Sequence, residues 1–296
     1  EVADTPLRVV DLTTYTGRCL RCGQVRSTHP LQTSTAEGAA GVHLGPRLQA
    51  IIASLRHGLY LTTRKVCRVA NEAFGVRVTP GAVADLSSRL AMRLEPEYDA
   101  LAQHLRQSPG VYVDETSWWL GGKGRWLWGF TDLECTLYRV HASRGRDVIL
   151  DTLGPDFKGV LSSDCLVIYE DVCERQSKCF AHHAKAVRQA IDSRPDGATP
   201  FLQAVRLFLK FLPKLKTLPA ELSPGQWLEV RRQLVEAIEA SVRPVRSDPH
   251  EERVANRLRK HSDHLLACLD YPWIESTNNR AERALRPAVI GRKLSC

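Results

Sequence analysis

Among the side chains here that could do chemistry, Asp114, Asp164 and Glu282 are notable for where they fall. Asp114 closes the alternating run Val111-Tyr112-Val113-Asp114, in which the valines can face a core while Tyr112 and Asp114 point the other way. Asp164 ends a second apolar run that starts at Gly159. Glu282 lies in Asn278-Asn279-Arg280-Ala281-Glu282-Arg283-Ala284-Leu285, among cations that attract phosphate. Carboxylate oxygens gathered on one edge of a rigid sheet are what Mg²⁺ requires. Two such ions, roughly 3.5 to 4 Å apart, stabilise the entering and leaving oxygens of an in-line displacement at phosphorus. Periodicity alone does not select these three. A chain with 33 Asp and Glu always offers acids at strand ends, and the ordinary role of any one is a solvated or salt-bridged surface group.

Other residues suit a polyanionic partner. Arg283 and Arg286, spaced i, i+3, share a helix face near Glu282 and are candidate phosphate contacts. Arg64, Lys65 and Arg68 give a basic edge to a helix pair that reads as helix-turn-helix or as a packing bundle. Trp118 and Trp119 precede a basic Gly-rich turn and are candidates for stacking on DNA bases, whereas Trp126 and Trp128 read as core. His182 reads as a helix-start histidine or as a neighbour of the acids. Cys19 and Cys22, in Cys-Leu-Arg-Cys-Gly, have the knuckle spacing of a zinc site, for which His29 is the nearby third candidate.

The elements that must position these groups follow from the pattern. From Gly45 to Leu94, apolar residues at helical spacing predict three helices. The second opens at Thr62 or Thr63 and stops at Gly75; the third is capped by Thr79 with Pro80 at its first position. Between 111 and 181 the period becomes two. A meander of three strands precedes a short helix at about 147–153, a strand ending at Asp164, and a strand over Lys178-Cys179-Phe180. The order βββαβαβα is that of the RNase H-like fold, an α/β core with a mixed five-stranded sheet and flanking helices. Residues from about 190 to 272 read as an all-α insertion, and 278–286 as a helix returning to the core. The expected domains are a partial zinc-binding segment and linker (1–44), an all-α N-terminal region (45–108) and the catalytic domain (109–296).

Bulk properties agree. The 296 residues carry 41 Lys and Arg and a net charge of +8, which favours nucleic acid as partner. No apolar run is long enough to span a bilayer, and the first residues are not a secretory signal. Nine scattered cysteines suit free thiols in a cytoplasm rather than a disulfide framework.

Four segments resemble, in order, the catalytic blocks of the insertion sequence sixty-six transposase family: VYVDETSWWLGGKGRWLWGFTD (111–132), FKGVLSSDCLVIYE (157–170), KCFAHHAKAV (178–187) and NNRAERALRPAVIGRK (278–293). The knuckle resembles the second half of that family's zinc segment, and 45–94 its helical DNA-binding region. The resemblance implies that Asp114, Asp164 and Glu282 are an acidic triad holding Mg²⁺ or Mn²⁺. It implies DNA cleavage and strand transfer at the ends of an insertion sequence, without a covalent protein intermediate. It further implies element ends and target DNA as partners, a homo-oligomer on DNA, accessory proteins of the same element, and a place with the nucleoid in a bacterial cytoplasm. Two other functions fit the same residues: a non-catalytic DNA-binding protein of transposase descent, and a metal-dependent nuclease. The first cysteine pair of the zinc segment is absent and the chain ends at Cys296, where family members continue, so a trimmed or fragmentary chain is expected.

Overall fold

The computed structural model describes residues 13, 15–27, 30 and 44–295; His29 and most of the expected 1–44 segment lie outside the described residues. Two compact units divide the chain, one of the residues up to Leu94 with Ile290–Cys296, the other Glu95–Val289.

In the first unit, β1 (Thr16–Cys19) and β2 (Gly23–Arg26) form a hairpin in which Cys19 pairs with Gly23. Three helices follow: α1 (Pro46–Ala53), α2 (Thr63–Phe74) and α3 (Pro80–Arg93). The expected caps are present. The Thr62 hydroxyl accepts from Lys65 N–H, Gly75 takes the left-handed conformation that ends α2, and Thr79 accepts from Ala82 N–H. Ile52, Val66, Val83 and Leu86 form the small core that these helices share.

The second unit is built on a mixed five-stranded sheet with flanking helices, as expected. Helix α4 (Glu95–Gln107) leads into β3 (Gly110–Leu120), β4 (Lys123–Thr131), β5 (Thr136–His141), α5 (Arg146–Leu153), β6 (Val160–Ser163) and β7 (Gln176–Lys178). The strand order is β5-β4-β3-β6-β7, with β3, β6 and β7 parallel and the β3–β4–β5 meander antiparallel. Two details differ from the pattern read in the sequence. Between β6 and β7 there is a single 3₁₀ turn, Val167–Tyr169, rather than a helix, because Tyr169 plunges into the sheet core and Asp171 takes a positive φ of 54°. The last strand also ends at Lys178, not Phe180. Phe180 opens α6 (Phe180–Asp192), its N–H bonded to Ser276 O and its ring committed to a helical core.

Alternation along β3 sorts the layers. Val111 and Val113 pack with Trp128, Phe130, Leu137, Leu105 of α4 and Ile149 of α5. Tyr112 lies on the opposite face with Val160, Ile274 and Ala281. Beyond α6 come α7 (Pro200–Phe211), α8 (Leu218–Glu221), α9 (Pro224–Val242), α10 (Pro249–Leu265) and α11 (Ala267–Asp270). With α6, the helices α7, α9, α10 and α11 share an apolar core containing Leu202, Val205, Leu209, Ile238, Val242, Leu258 and Leu269.

The last helix, α12 (Asn279–Ser295), is seated on the sheet by small residues. Ala281 is fully buried, and Leu285 rests on Gly129 of β4, where an added Cβ would lie 2.9 Å from Leu285 Cδ2. The Tyr138 hydroxyl of β5 donates to Ala284 O, fixing the same turn. Gly129→Val is expected to cost about 1–3 kcal/mol, the range for overpacked cores, read as a lower urea midpoint. Adding Leu285→Ala should restore part of it. An unchanged midpoint in Gly129→Val would show that this contact does not seat the helix.

Candidate active site

β3 and β6 pair as Gly110↔Val160, Val111↔Leu161 and Tyr112↔Ser162. Each pair is offset by 50 residues (160 − 110), and Asp114 and Asp164 are offset by the same 50 (164 − 114). Continuing the register therefore brings the two acids level where β6 ends, at the carboxyl ends of parallel strands. Open α/β sheets bind ligands there. Gly129 stands opposite Asp114 on β4. Because Leu285 covers that glycine, Glu282, one turn earlier on α12, comes to the same edge. Asn278 completes the arrangement: its side-chain amide donates to Val113 O at 2.8 Å, and its backbone N–H points to Cys179 Sγ at 3.1 Å. Asn278 thus stands at the start of α12, but its side chain ties the helix to β3 rather than capping it.

The electrostatics bear the mark of this convergence. Burial first, and then the negative charge of Glu115, Asp164 and Glu282, push Asp114 up from 3.8 to about 7, against a lowering hydrogen bond from Glu115 N–H. Asp164 Oδ1 accepts from Leu166 N–H at 2.9 Å, which fixes the carboxylate in a tight turn. Glu282 is exposed. The three carboxylates are not drawn within 4.8 Å of one another; among the described residues, His104, Asp132 and Cys135 form a group that is.

Several neighbours were not singled out by sequence reasoning. Glu115, beside Asp114 but on the opposite face, has a side chain only 1% exposed and accepts from Arg144, 2.9 Å away, and from the Tyr169 hydroxyl. Arg144 also covers the Trp126 ring. Lys178, fully buried, donates to Ser163 Oγ at 3.0 Å beneath Asp164, and burial pulls its pKa down. On α10, Arg257 lies near the thiol of Cys165, the residue after Asp164, and its charge lowers that thiol's pKa against the rise imposed by burial; among the described residues the buried Arg257 Nε has no acceptor. Burial and this cation push His183 down to about 2, and burial, chiefly, takes neighbouring His261 to about 4. The one legible signal was alternation in Val-Asp-Glu-Thr, which puts Asp114 and Glu115 on opposite faces.

The remaining candidates are placed as follows. Arg283 lies 3.6 Å from Glu275, while Arg286 is exposed and forms no ion pair among the described residues. Arg64 and Lys65 are exposed on α2, and Arg68 is held by Glu72 at 2.8 Å. Trp119 is 71% exposed and Trp118 half-buried toward the far end of β3; Trp128 is core and Trp126 packs against it, as read from the sequence. His182 lies in the first turn of α6, half-buried. Cys19 Sγ accepts from Arg21 N–H at 3.4 Å, and the backbone donors of Arg21 and Cys22 hold its thiol below the usual range.

In metal-free protein the raised Asp114 pKa has a defined consequence. Between 3.8 and about 7 the folded state keeps a proton that the unfolded chain releases. Asp114 therefore contributes most stability below pH 4, and that contribution is lost as pH rises to about 7. In EDTA, the thermal midpoint should fall across this window with a smaller slope in Asp114→Asn than in the parent. Equal slopes would show that other groups carry it.

The described helices include none long and apolar enough to cross a membrane. Comparison with curated proteins finds no match. The sequence profile of the DDE transposases described as the transposase IS66 family matches residues 41–296, bearing out the likeness of the four blocks. The chain belongs to the IS66 transposase family, and thus to the enzymes that process DNA in transposition.

Proposed function

We propose that this chain is a divalent-metal-dependent DNA transposase with an RNase H-like core, and that Asp114, Asp164 and Glu282 are its metal ligands. The observation that carries the reading is the meeting at one sheet edge of three acids separated by 50 (164 − 114) and 118 (282 − 164) residues, where the parallel β3–β6 register levels Asp114 with Asp164 and the charges of Asp164 and Glu282 both act on Asp114. The donor set fits a hard cation: the ligands are carboxylate oxygens, and burial together with neighbouring negative charge raises the Asp114 pKa, a burden that a cation would relieve. Bound there, a pair of Mg²⁺ or Mn²⁺ ions would stabilise charge on the entering and leaving oxygens. The strand order and the β3–β6 register support the RNase H-like assignment.

The protein's own groups have separate tasks in this reading. Asp164 is held ready by its turn hydrogen bond, and Glu282 by the seat of α12. Glu115 is kept out of the site by Arg144 and Tyr169, so it does not compete for the cation. Arg283, Arg286 and Arg257 offer positive charge around the acids for the phosphate backbone. Trp118 and Trp119 on the β3–β4 hairpin offer rings to displaced bases. Arg64, Lys65 and Arg68 on α2, and the Cys19–Cys22 knuckle if it holds zinc, belong to a DNA-gripping module. DNA binding then weakens as salt rises. Paired element ends would call for a homo-oligomer on DNA, with accessory proteins of the element.

A strand-transfer assay with a pre-cleaved element end and a plasmid target tests the reading. Joined product that requires Mg²⁺ and disappears in EDTA and in Asp164→Ala is expected. Cutting without joining would replace it with a nuclease; firm DNA binding by folded protein with neither reaction would replace it with a non-catalytic DNA-binding protein.

A further inference from the structure

A second group of potential ligands lies away from the acidic edge. Asp132 is three residues beyond Gly129, the cross-strand partner of Asp114, so the two sites are about 10 Å apart along β4. His104 projects from α4, and Asp132 and Cys135 flank the turn between β4 and β5; their ligand atoms all lie within 4.8 Å of one another. His104 Nε2 is 2.7 Å from Asp132 Oδ2 and 3.8 Å from Glu134 Oε2. Asp132 is 5% exposed, and its other oxygen accepts from the N–H groups of Glu134 and Cys135 at 2.9 and 2.8 Å. The backbone thus orients the carboxylate so that Oδ2 meets the imidazole. The Cys135 thiol lies within 4.8 Å of the same carboxylate, and burial with that negative charge raises its pKa to about 11.

We propose that His104, Asp132 and Cys135 form a structural zinc site, with the exposed Glu134 swinging in as fourth ligand. Imidazole nitrogen, carboxylate oxygen and thiolate are the donor types that zinc accepts. A thiolate–imidazole pair distinguishes the site from the all-oxygen acid cluster, which suits a harder ion. Tetrahedral zinc separates its ligands by roughly 3.3 to 3.8 Å, so the 2.7 Å His104–Asp132 contact must lengthen, and ligand atoms that already lie within 4.8 Å of one another reach that spacing by small side-chain shifts. The metal would take the place of the thiol proton, which is released to solvent on binding. Room for the change exists: His104, Asp132 and Glu134 line a cavity of about 290 Å³. The site would clamp α4 to the β4–β5 turn. Asp132 O also accepts from Arg280 of α12 at 3.5 Å, so the clamp would stiffen the end of the sheet on which that helix rests.

The test uses the full chain with Cys19→Ser and Cys22→Ser, so that the knuckle contributes no sulfur, and Co²⁺ as the optical probe for zinc. One equivalent should bind with the intense visible bands of tetrahedral cobalt and a sulfur-to-cobalt charge-transfer band. Zinc should displace it and raise the thermal midpoint. Cys135→Ser in the same background keeps the side chain nearly the same size and leaves the backbone bond to Asp132 in place, so it should fold with the same circular dichroism. It should lose the charge-transfer band and the zinc-dependent shift, and His104→Ala should lose bound metal at least tenfold. Folded background protein that takes up neither ion, or a charge-transfer band that survives Cys135→Ser, would overturn the site.

Discussion

The acidic edge depends on how closely α12 can approach β3 and β4. Glu282 is 118 residues from Asp164 (282 − 164), so only contacts formed in the folded state hold it near the other two acids. Those contacts are specific in kind. Gly129 leaves the space that Leu285 fills, Ala281 lets the helix lie against Tyr112, and the Asn278 amide takes the Val113 carbonyl. The β3 backbone just before Asp114 is therefore bound directly to the residue that starts the Glu282 helix. A buried amide donating to a strand carbonyl is hard to replace, because its loss leaves a buried acceptor without a partner.

Given that seat, the charge pattern has a physical logic. Four acids, Asp114, Glu115, Asp164 and Glu282, interact at one end of the sheet, and the fold treats them differently. Glu115 is bonded by Arg144 and by the Tyr169 hydroxyl on the far face of β3, while its charge still acts on Asp114. Asp114 has no such partner among the described residues and sits in the raised state that burial and like charge impose. Lys178 lies beneath Asp164 but spends its hydrogen bonds on Ser163 Oγ and Tyr169 O, so it supports the loop without forming an ion pair with the acid. An edge built this way stores unfavourable charge that a cation would relieve, as opposed to a cluster already quenched by arginine.

The helical layer between β7 and α12 contributes more than packing. Its helix α10 brings Arg257 near Cys165 and, with α6, assembles a chain of ring contacts from His183 through His261 to His264. Burial chiefly lowers the pKa of these imidazoles, and the permanent charge of Arg257 adds to the effect on His183 and His261. The region read in the sequence as an insertion thus reaches the loop carrying Asp164 through a fixed cation. The basic character of the chain is expressed locally there, beside the carboxylates.

Local chemistry made much of this legible in advance. Alternation in Val111–Asp114 told which face Asp114 occupies, Thr62, Gly75 and Thr79 marked helix ends through their hydrogen-bonding and backbone preferences, and the spacing of the blocks carried the family. Helix ends and strand faces are set by residues a few positions apart, so a linear reading captures them. What only the tertiary structure decided are the long-range choices. Asp114 and Asp164 are level because of a parallel register, Glu282 joins them because a glycine on β4 admits a leucine from α12, and Glu115 is held by an arginine 29 residues away. The expected helix between β6 and β7 is a 3₁₀ turn, since burying Tyr169 outweighs local helical preference. Likewise, His104 comes to meet Asp132 and Cys135 only when α4 folds back onto the sheet, a juxtaposition that no spacing in the sequence announces.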